Sequence, residues 1–262
     1  MKQLDRVRRV LSRAFDRAAR VIAPPSPRSS VGSLPAKHYL PPDSCQIPEL
    51  SDLYEMSFGT QRVGTVVEVG AFDGVTFSNT SCLIEVGWSA VLMEPVPEFA
   101  QQCRDRYRDN PDVRVLEVAA GDVNSTVVLG VAGSLTSADV EQLAEYDQVS
   151  WSARTVKGRV DITVQVRRLD DVLDDAGVAP GFEVLVVDVE GYEAKVWDGF
   201  DLDRWRPQLM IWELTDTHPD LVLRRSESLS ISEQILSHGY RVIYKDHINT
   251  VFSLVGRGER TL

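Results

Sequence analysis

Cysteine and long apolar runs are the scarcest features of this 262-residue sequence. The three cysteines, Cys45, Cys82 and Cys103, form neither an even set nor a CxxC pair. This argues against a disulfide framework and against a zinc site. No apolar run approaches the roughly 18 residues that a membrane-spanning helix needs, and the N-terminus lacks an apolar core of signal-peptide length. We therefore expect a cytoplasmic protein, and its length suits one α/β domain with an appendage.

Basic residues are also scarce beyond the first 22 positions. The formal net charge is −11, but residues 1–22 hold seven basic and two acidic groups and so carry +5. The rest of the chain therefore carries −16. Because a domain this acidic repels a phosphate backbone, we do not expect nucleic acid among its partners.

Two segments precede the domain that we predict over 49–262. Apolar residues recur at steps of three and four near the N-terminus, with arginines on the other faces, which predicts an amphipathic basic helix over 1–22. Such a helix can pack on the domain, pair two subunits into a homodimer, or make a peripheral membrane contact. Residues 23–48 hold seven of the thirteen prolines, which predicts a linker or a strap lying over the domain.

From about residue 50, short apolar runs alternate with amphipathic helices, a pattern typical of a parallel sheet with crossovers. The predicted strands are 65–69, 90–93, 113–118, an accessory strand at 161–166, 184–187, 209–212, 240–244 and 251–255. The predicted helices are 82–86, a helix from Pro97 to Asn110, 169–175 and one around 231–238. A short loop joins the last two strands, so an antiparallel hairpin is expected to end the sheet.

A glycine turn and a glutamate follow the first two predicted strands. Gly70 and Gly74 let the backbone approach a ligand closely, and the next helix offers free N–H groups to a carboxylate. Phe72 occupies the second glycine position of a GxGxxG motif, so a pyrophosphate would meet a bulky side chain. Glu94, twenty residues after Gly74, can accept hydrogen bonds from both ribose hydroxyls. Together the two motifs predict a nucleoside site, although a turn without a ligand also explains the glycines.

Small residues are expected at the tip of the third strand, in the run AAGD at 119–122. Ala120 leaves room for a flat ring, and Asp122 can accept a hydrogen bond from an exocyclic amine. A structural turn explains the same residues equally well.

The run VDVEGYE at 187–193 places three acids within six residues after a wholly apolar strand. Burying carboxylates costs several kcal/mol unless they are paired, hydrogen-bonded or bound to a metal. A helix start accounts for Glu190 and Glu193, because acids there suit the helix dipole. It accounts less well for Asp188, which is therefore the strongest functional candidate of the run. We expect Glu190, Tyr192 and Glu193 to contact a substrate.

These motifs resemble, in order and spacing over residues 63–255, the FkbM family of methyltransferases. The matching pieces are VGAFDG at 69–74, Asn79, Glu94-Pro95, AAGD at 119–122, Leu169-Asp170, VDVEGYE at 187–193 and Glu213. The resemblance implies an α/β, Rossmann-like class I methyltransferase fold with a mostly parallel seven-stranded sheet and helices on both faces. It also implies S-adenosyl-L-methionine as methyl donor and usually a hydroxyl of a sugar, a glycolipid or a secondary metabolite as acceptor.

The resemblance and the predicted strand ends together define the expected site. The residues expected to bind the donor are Glu68, Gly70, Ala71, Phe72, Asp73, Gly74, Asn79, Glu94, Pro95, Ala120, Asp122 and Asp188. We expect Tyr146 and Trp151 to contact the acceptor from a lid over 130–160, although a helical excursion anchored by its aromatics is an equal alternative.

A sugar hydroxyl is a weak acid, so its oxygen needs a base or a Lewis acid as it attacks the methyl group. In one route, Asp188, His218 or His247 takes the proton. In the other, Asp188 and Glu213, at the tips of adjacent strands, share Mg²⁺, which lowers the pKa of the hydroxyl. Both routes stay open at this point, with the metal-free route slightly preferred.

The predicted activity is O-methylation of a sugar, as in a bacterial polysaccharide, a glycolipid or a glycosylated metabolite. A non-sugar metabolite is an alternative acceptor. A non-catalytic nucleoside-binding or regulatory partner, docked through the helix at 1–22, is the rival from another class. Phe72 and the acidic run after the fourth strand argue against a nicotinamide dehydrogenase.

Overall fold

The computed structural model describes residues 37–255. The helix predicted over 1–22, the linker up to residue 36 and residues 256–262 lie outside this described part. The strands within it are β1 (Thr65–Val69), β2 (Ser89–Met93), β3 (Val113–Leu116), β4 (Ala119–Gly121), β5 (Ser125–Val131), β6 (Val160–Arg168), β7 (Val184–Val187), β8 (Leu209–Glu213), β9 (Tyr240–Lys245) and β10 (Asn249–Leu254). The helices are α1 (Leu50–Phe58), α2 (Ser81–Glu85), α3 (Pro97–Arg106), α4 (Val140–Tyr146), α5 (Ala153–Val156), α6 (Leu169–Asp175), α7 (Glu193–Asp198), α8 (Leu202–Trp205) and α9 (Arg225–Ser237).

Seven strands form the central sheet in the order β3-β2-β1-β7-β8-β10-β9. β1 lies parallel to both β2 and β7, and the parallel pairing continues to β3 on one side and β8 on the other. β10 runs antiparallel between β8 and β9. The predicted fold class, including the terminal antiparallel hairpin, is confirmed. The strand order reverses between β1 and β7, which is where open α/β sheets bind their ligands.

The central strands are apolar because helices cover both faces of the sheet. All four residues of β7 and all five of β8 are buried. One face packs against Leu50 of α1 and Leu83 of α2. The other packs against Leu173 of α6, Val196 of α7 and Ile235 of α9. Within residues 37–255, no helix combines the length and the apolar character needed to cross a bilayer.

A second sheet of three strands, in the order β4-β6-β5, is a feature that the sequence does not predict. Its strand β6 contains the predicted accessory strand at 161–166. The third strand predicted over 113–118 is wrong at its end, because β3 stops at Leu116 and β4 joins β6 in the other sheet. Small residues allow this departure: a Cβ on Gly121 would lie 2.7 Å from Val166, and one on Gly199 would collide with the Gly121 carbonyl.

The end of the proline-rich segment lies against the domain. Tyr39 and Ile47 are buried beside α1, and the Tyr39 hydroxyl donates to the Gln61 carbonyl at 2.9 Å. The Ser44 hydroxyl accepts a hydrogen bond from the Phe77 N–H at 3.0 Å. Residues 37–48 therefore reach the loop that follows β1.

The segment predicted as a lid over 130–160 contains the end of β5, α4, α5 and the first residue of β6. Gly130 and Ser137 exchange backbone hydrogen bonds, which closes a tight loop between them. Leu143, Tyr146 and Val156 form a small core of their own below that loop.

Candidate active site

A cavity of about 310 Å³ opens at the carboxyl ends of β1, β2 and β7, beside the point where the strand order reverses. Its volume lies in the range of small-molecule sites, roughly 300–1,000 Å³. Twelve of the residues expected to bind donor or acceptor line it: Glu68, Gly70, Ala71, Phe72, Asn79, Glu94, Pro95, Ala120, Trp151, Asp188, Glu190 and Tyr192. The predicted donor motifs and part of the acidic run therefore share one cavity.

Gly70 forms the floor of the cavity between β1 and β7. Its φ is +92°, and a Cβ there would collide with the carbonyl oxygen of Asp188. The Asp188 N–H donates to the Val69 carbonyl at 3.0 Å, which holds the two chain segments together at this point. Glycine is therefore required by both the backbone conformation and the close approach.

Glu94 lies at the tip of β2 and is 5% exposed. Its Oε2 accepts from the Phe72 N–H at 2.9 Å, and its Oε1 accepts from the Val96 N–H at 2.8 Å. Burial raises the pKa of Glu94 to about 8, although the two backbone hydrogen bonds oppose the rise. Because each carboxylate oxygen has a second lone pair, this side chain can still accept from two ribose hydroxyls.

Glu68 and Asn79 form a second polar wall. The Thr80 hydroxyl donates to Glu68 Oε2 at 2.6 Å, and the Tyr54 hydroxyl donates to the Asn79 carbonyl at 2.6 Å. Burial raises the pKa of Glu68 to about 8. Neighbouring hydroxyls thus hold the Glu68 side chain and the Asn79 backbone in this wall.

Asp73 and Gly74 shape the loop after β1 and lie outside the cavity lining. Asp73 Oδ1 accepts from the backbone N–H groups of Val75 and Thr76 at 2.9 and 2.6 Å. A Cβ on Gly74 would lie 3.2 Å from the ring of Tyr107, which is not among the lining residues. These two predicted donor residues therefore act on the loop conformation.

Three carboxylates converge at the other end of the cavity. Asp188 follows β7, Glu190 lies in the next turn and Glu213 ends β8. Each offers an oxygen within 4.8 Å of the oxygens of the other two. Asp188 and Glu190 line the cavity, and Glu213 is buried beside them. Burial raises the pKa of all three carboxyl groups, and for Glu190 and Glu213 the neighbouring carboxylates raise it further.

Glu193 holds the backbone of the turn that carries Glu190. Its Oε1 accepts from the N–H groups of Val189 and Gly191 at 3.1 and 3.3 Å. Burial raises the pKa of Glu193 to about 7. Glu193 therefore supports the cluster without lining the cavity.

The match to a family model decides the relationship of this chain to known proteins. A model described as a methyltransferase FkbM domain matches residues 68–242. The chain belongs to the FkbM methyltransferase family. The matched region contains every strand tip that surrounds the cavity, from Glu68 to Glu213. The family assigned from the sequence motifs is thereby confirmed.

Several solved structures are similar to this FkbM methyltransferase. Methyltransferase FkbM from Methylobacillus flagellatus KT has 16% identity and a TM-score of 0.45, over 76% of this chain and 47% of that chain. The present chain thus spans about half the length of that protein. O-methyltransferase TomG from Streptomyces achromogenes has 15% identity and a TM-score of 0.42, over 79% and 77% of the two chains. No curated protein sequence matches the chain.

Three more residues predicted for this site, Asp122, His218 and His247, also lie outside the cavity lining. Asp122 accepts from Lys195 Nζ at 2.8 Å, and this hydrogen bond lowers its pKa. The Nδ1 atom of His218 accepts from the N–H groups of Asp220 and Leu221, at 3.1 and 2.9 Å. His247 is exposed, with its ring centroid 5.2 Å from that of His218. Asp122 follows β4 and pairs with Lys195 on α7, whereas Ala119 and Ala120 of the same strand line the cavity.

The two aromatic residues predicted for the acceptor differ in their exposure. Tyr146 is buried, and its hydroxyl donates to Glu190 Oε2. Trp151 is 50% exposed at the rim of the cavity, and its indole N–H donates to Asp220 at 3.2 Å. Tyr146 therefore supports an acidic side chain, and Trp151 is the aromatic that an incoming molecule can reach.

Sequence reasoning missed several wall residues. Gln46, from the proline-rich segment, lines the cavity and accepts from Asn249 Nδ2 at 3.3 Å. Phe77 lines it with φ +60°. Leu135 lies in the lining from the loop after β5. A backbone with φ > 0 at a non-glycine residue has no sequence signal, whereas the nearness of Gln46 to the site could be inferred only from the course of the strap.

Proposed function

We propose that this FkbM methyltransferase transfers a methyl group from S-adenosyl-L-methionine to a hydroxyl group of a sugar. The observation that carries the proposal is that one cavity is lined both by Glu94, at the tip of β2, and by Asp188 and Glu190, which follow β7. A nucleoside donor anchored at Glu94 can therefore present its reactive end to carboxylates.

We propose one orientation of the donor in the cavity. The adenine ring would lie beside Val118 and Ala120, where small apolar residues leave room for a flat group. The ribose hydroxyls would donate to Glu94, and the methionine part would pass Gly70 towards Asn79. The positive sulfonium would then lie near the carboxylates, which stabilise its charge.

The acceptor would enter past Trp151, whose exposed indole offers a flat amphipathic surface to a sugar ring. The acceptor classes that we propose are a bacterial polysaccharide, a glycolipid or a glycosylated metabolite.

The free thiols of Cys45, Cys82 and Cys103 are compatible with the cytoplasmic location that we propose for the enzyme.

The chemistry requires the acceptor oxygen, the methyl carbon and the sulfur to lie in line. A new O–CH₃ bond forms as the S–CH₃ bond breaks, which leaves S-adenosylhomocysteine and releases the hydroxyl proton. His218 and His247 lie outside the cavity lining, so both routes considered for that proton lead to the carboxylate cluster. In one route a carboxylate of the cluster takes the proton directly. In the other, the cluster would hold Mg²⁺, which would lower the pKa of the hydroxyl.

The proposal is tested by supplying S-adenosyl-L-methionine labelled in its methyl group to a panel of methyl glycosides and, as matched controls, phenols and carboxylic acids. We expect label in an alkali-stable methyl ether of a glycoside, with equimolar S-adenosylhomocysteine. Label in the phenols alone would show a non-sugar acceptor. Failure to bind S-adenosylhomocysteine would favour the non-catalytic regulatory partner.

A further inference from the structure

The three clustered carboxylates come from separate parts of the chain that fold to one point. Asp188 follows the central strand β7, Glu213 ends the neighbouring strand β8, and Glu190 belongs to the turn between β7 and α7. One oxygen of each lies within 4.8 Å of the others. Since parallel strands end at the same edge of a sheet, the first two are brought together by β7–β8 pairing.

Glu213 provides an observation that is independent of this clustering. The side chain is nine-tenths buried, and its Oε2 atom is inaccessible and has no hydrogen-bond partner within residues 37–255. A buried carboxylate oxygen without a partner is costly, and such an atom in a native protein calls for a ligand such as an ion. One oxygen of Glu213 belongs to the cluster, so a ligand bound there would contact this carboxylate.

The turn that carries Glu190 is held in a strained conformation. Glu190 has φ +53° and Gly191 has φ +96°. The Ser137 hydroxyl donates to the Glu190 carbonyl at 2.6 Å, and the Tyr146 hydroxyl donates to Glu190 Oε2. Backbone strain of about 1–3 kcal/mol persists where the surroundings enforce it, commonly at functional sites. The surrounding groups therefore direct the Glu190 carboxylate towards Asp188 and Glu213.

We propose that Asp188, Glu190 and Glu213 bind one divalent cation of the Mg²⁺ or Mn²⁺ type. The donor set contains only carboxylate oxygens, which hard cations prefer over the nitrogen and sulfur ligands of zinc. Bonds of about 2.1 Å place ligand oxygens roughly 3–4 Å apart, so the present separations close around such an ion with small side-chain movements.

The cation would face the cavity, because Asp188 and Glu190 both line it. Three protein ligands leave positions for water and for one acceptor oxygen in a six-coordinate shell. This role rests on the proposed function: a cation held there would lower the pKa of the acceptor hydroxyl and so favour attack of its oxygen on the methyl group. The residues hold the ion and orient the oxygen, and the released proton passes to water.

Binding of Mn²⁺ to the full chain tests the site without any turnover. Electron paramagnetic resonance or calorimetry should detect one Mn²⁺ per chain, and excess Mg²⁺ should displace it. Glu213→Gln should weaken Mn²⁺ binding at least about tenfold, which corresponds to roughly 1.4 kcal/mol. Asp122→Asn, which removes a carboxylate outside the cavity lining, should bind Mn²⁺ as wild type does.

Binding of S-adenosylhomocysteine by each variant serves as the control for folding. If Glu213→Gln no longer binds S-adenosylhomocysteine, Glu190→Gln is used in its place for the comparison of Mn²⁺ binding. Wild type that binds S-adenosylhomocysteine but no Mn²⁺ would overturn the cation site and leave the proposed donor site intact. Equal Mn²⁺ binding by wild type and by both cluster variants would overturn it as well. Mn²⁺ binding without S-adenosylhomocysteine binding would support the cation site and refute the proposed function instead.

Discussion

Replacement of Gly70 by alanine should damage both the fold and the site. The added Cβ would lie much closer than 3.0 Å to the Asp188 carbonyl oxygen. Real Cβ atoms essentially never come within 3.0 Å of another atom in this way. The chain must therefore separate β1 from the residue that follows β7, which disrupts the hydrogen bond between the Asp188 N–H and the Val69 carbonyl. Unlike a flexible side chain, neither backbone segment can move aside cheaply.

The magnitude follows from three contributions. A φ of +92° costs alanine about 1 kcal/mol, overpacking costs about 1–3 kcal/mol, and the lost hydrogen bond costs about 1 kcal/mol. We expect the free energy of unfolding to fall by about 3–5 kcal/mol. A displacement of about 1 Å at Asp188 should also lower kcat about 100-fold in the molecules that remain folded.

Urea denaturation measures the loss of stability, a turnover assay measures the loss of kcat, and titration with S-adenosylhomocysteine shows whether the donor site is retained. Gly177→Ala is the matched control, since Gly177 has φ +68° and nothing within 4 Å of an added Cβ. It should lose only the backbone contribution of about 1 kcal/mol. Equal unfolding free energies for the two variants, with unchanged S-adenosylhomocysteine affinity for Gly70→Ala, would refute the close approach of β1 and β7.

Three further predictions concern single side chains. Trp151→Ala should raise the KM for a glycoside acceptor about tenfold, as expected for about 1.4 kcal/mol of lost stacking, and leave the Kd for S-adenosylhomocysteine unchanged. Asp122→Ala should change that Kd less than about twofold, because Asp122 pairs with Lys195. The free energy of unfolding should fall as pH rises from about 5 to 9, because the folded pKa of Glu94, about 8, exceeds its ordinary value of 4.5. That stability is complete below the ordinary pKa and is lost as pH passes the folded pKa. Glu68 and Glu193 also have raised pKa values, so Glu94→Gln should reduce the slope seen in urea titrations by the contribution of one carboxyl group.

Each of these predictions has a result that contradicts it. An unchanged acceptor KM for Trp151→Ala would remove the indole from the acceptor path. A large loss of S-adenosylhomocysteine affinity in Asp122→Ala would restore that residue to the adenine side. A pH profile with the same slope in Glu94→Gln as in wild type would show that Glu94 titrates near its ordinary pKa in the folded protein.

The central sheet could be predicted from the sequence because its central strands have a clear hydrophobic pattern. The strands β7 and β8 are continuous apolar runs of the kind found at the centre of a parallel sheet. The second sheet escaped prediction for the opposite reason. β4 has only three residues, and β5 is exposed or half-buried over its first four residues and buried over its last three, so neither shows a regular strand alternation. The pairing of β5 with β6 joins segments that are far apart in the sequence, so the local pattern does not predict it.

The candidate site also contains residues that could be placed from the sequence and residues that could not. Residues at strand tips, such as Glu94 and Asp188, could be placed because parallel strands end at one edge. Placing a carboxylate of Glu190 beside Asp188 requires a left-handed backbone at a glutamate, which tertiary contacts impose. His218 follows β8 closely in the sequence, which suggested that it lies at the same edge. Its ring instead accepts hydrogen bonds from the backbone of the following loop. Side-chain direction in loops therefore set the limit of the sequence-based prediction.

Calorimetric titration of S-adenosylhomocysteine into wild type and Glu94→Ala, with NAD as a control ligand, tests the central claim most directly. We predict micromolar binding to wild type, a loss of at least about tenfold in Glu94→Ala from the missing ribose contacts, and no binding of NAD. Equal binding of S-adenosylhomocysteine by both proteins, or by neither, would contradict the assignment of this cavity to the methyl donor.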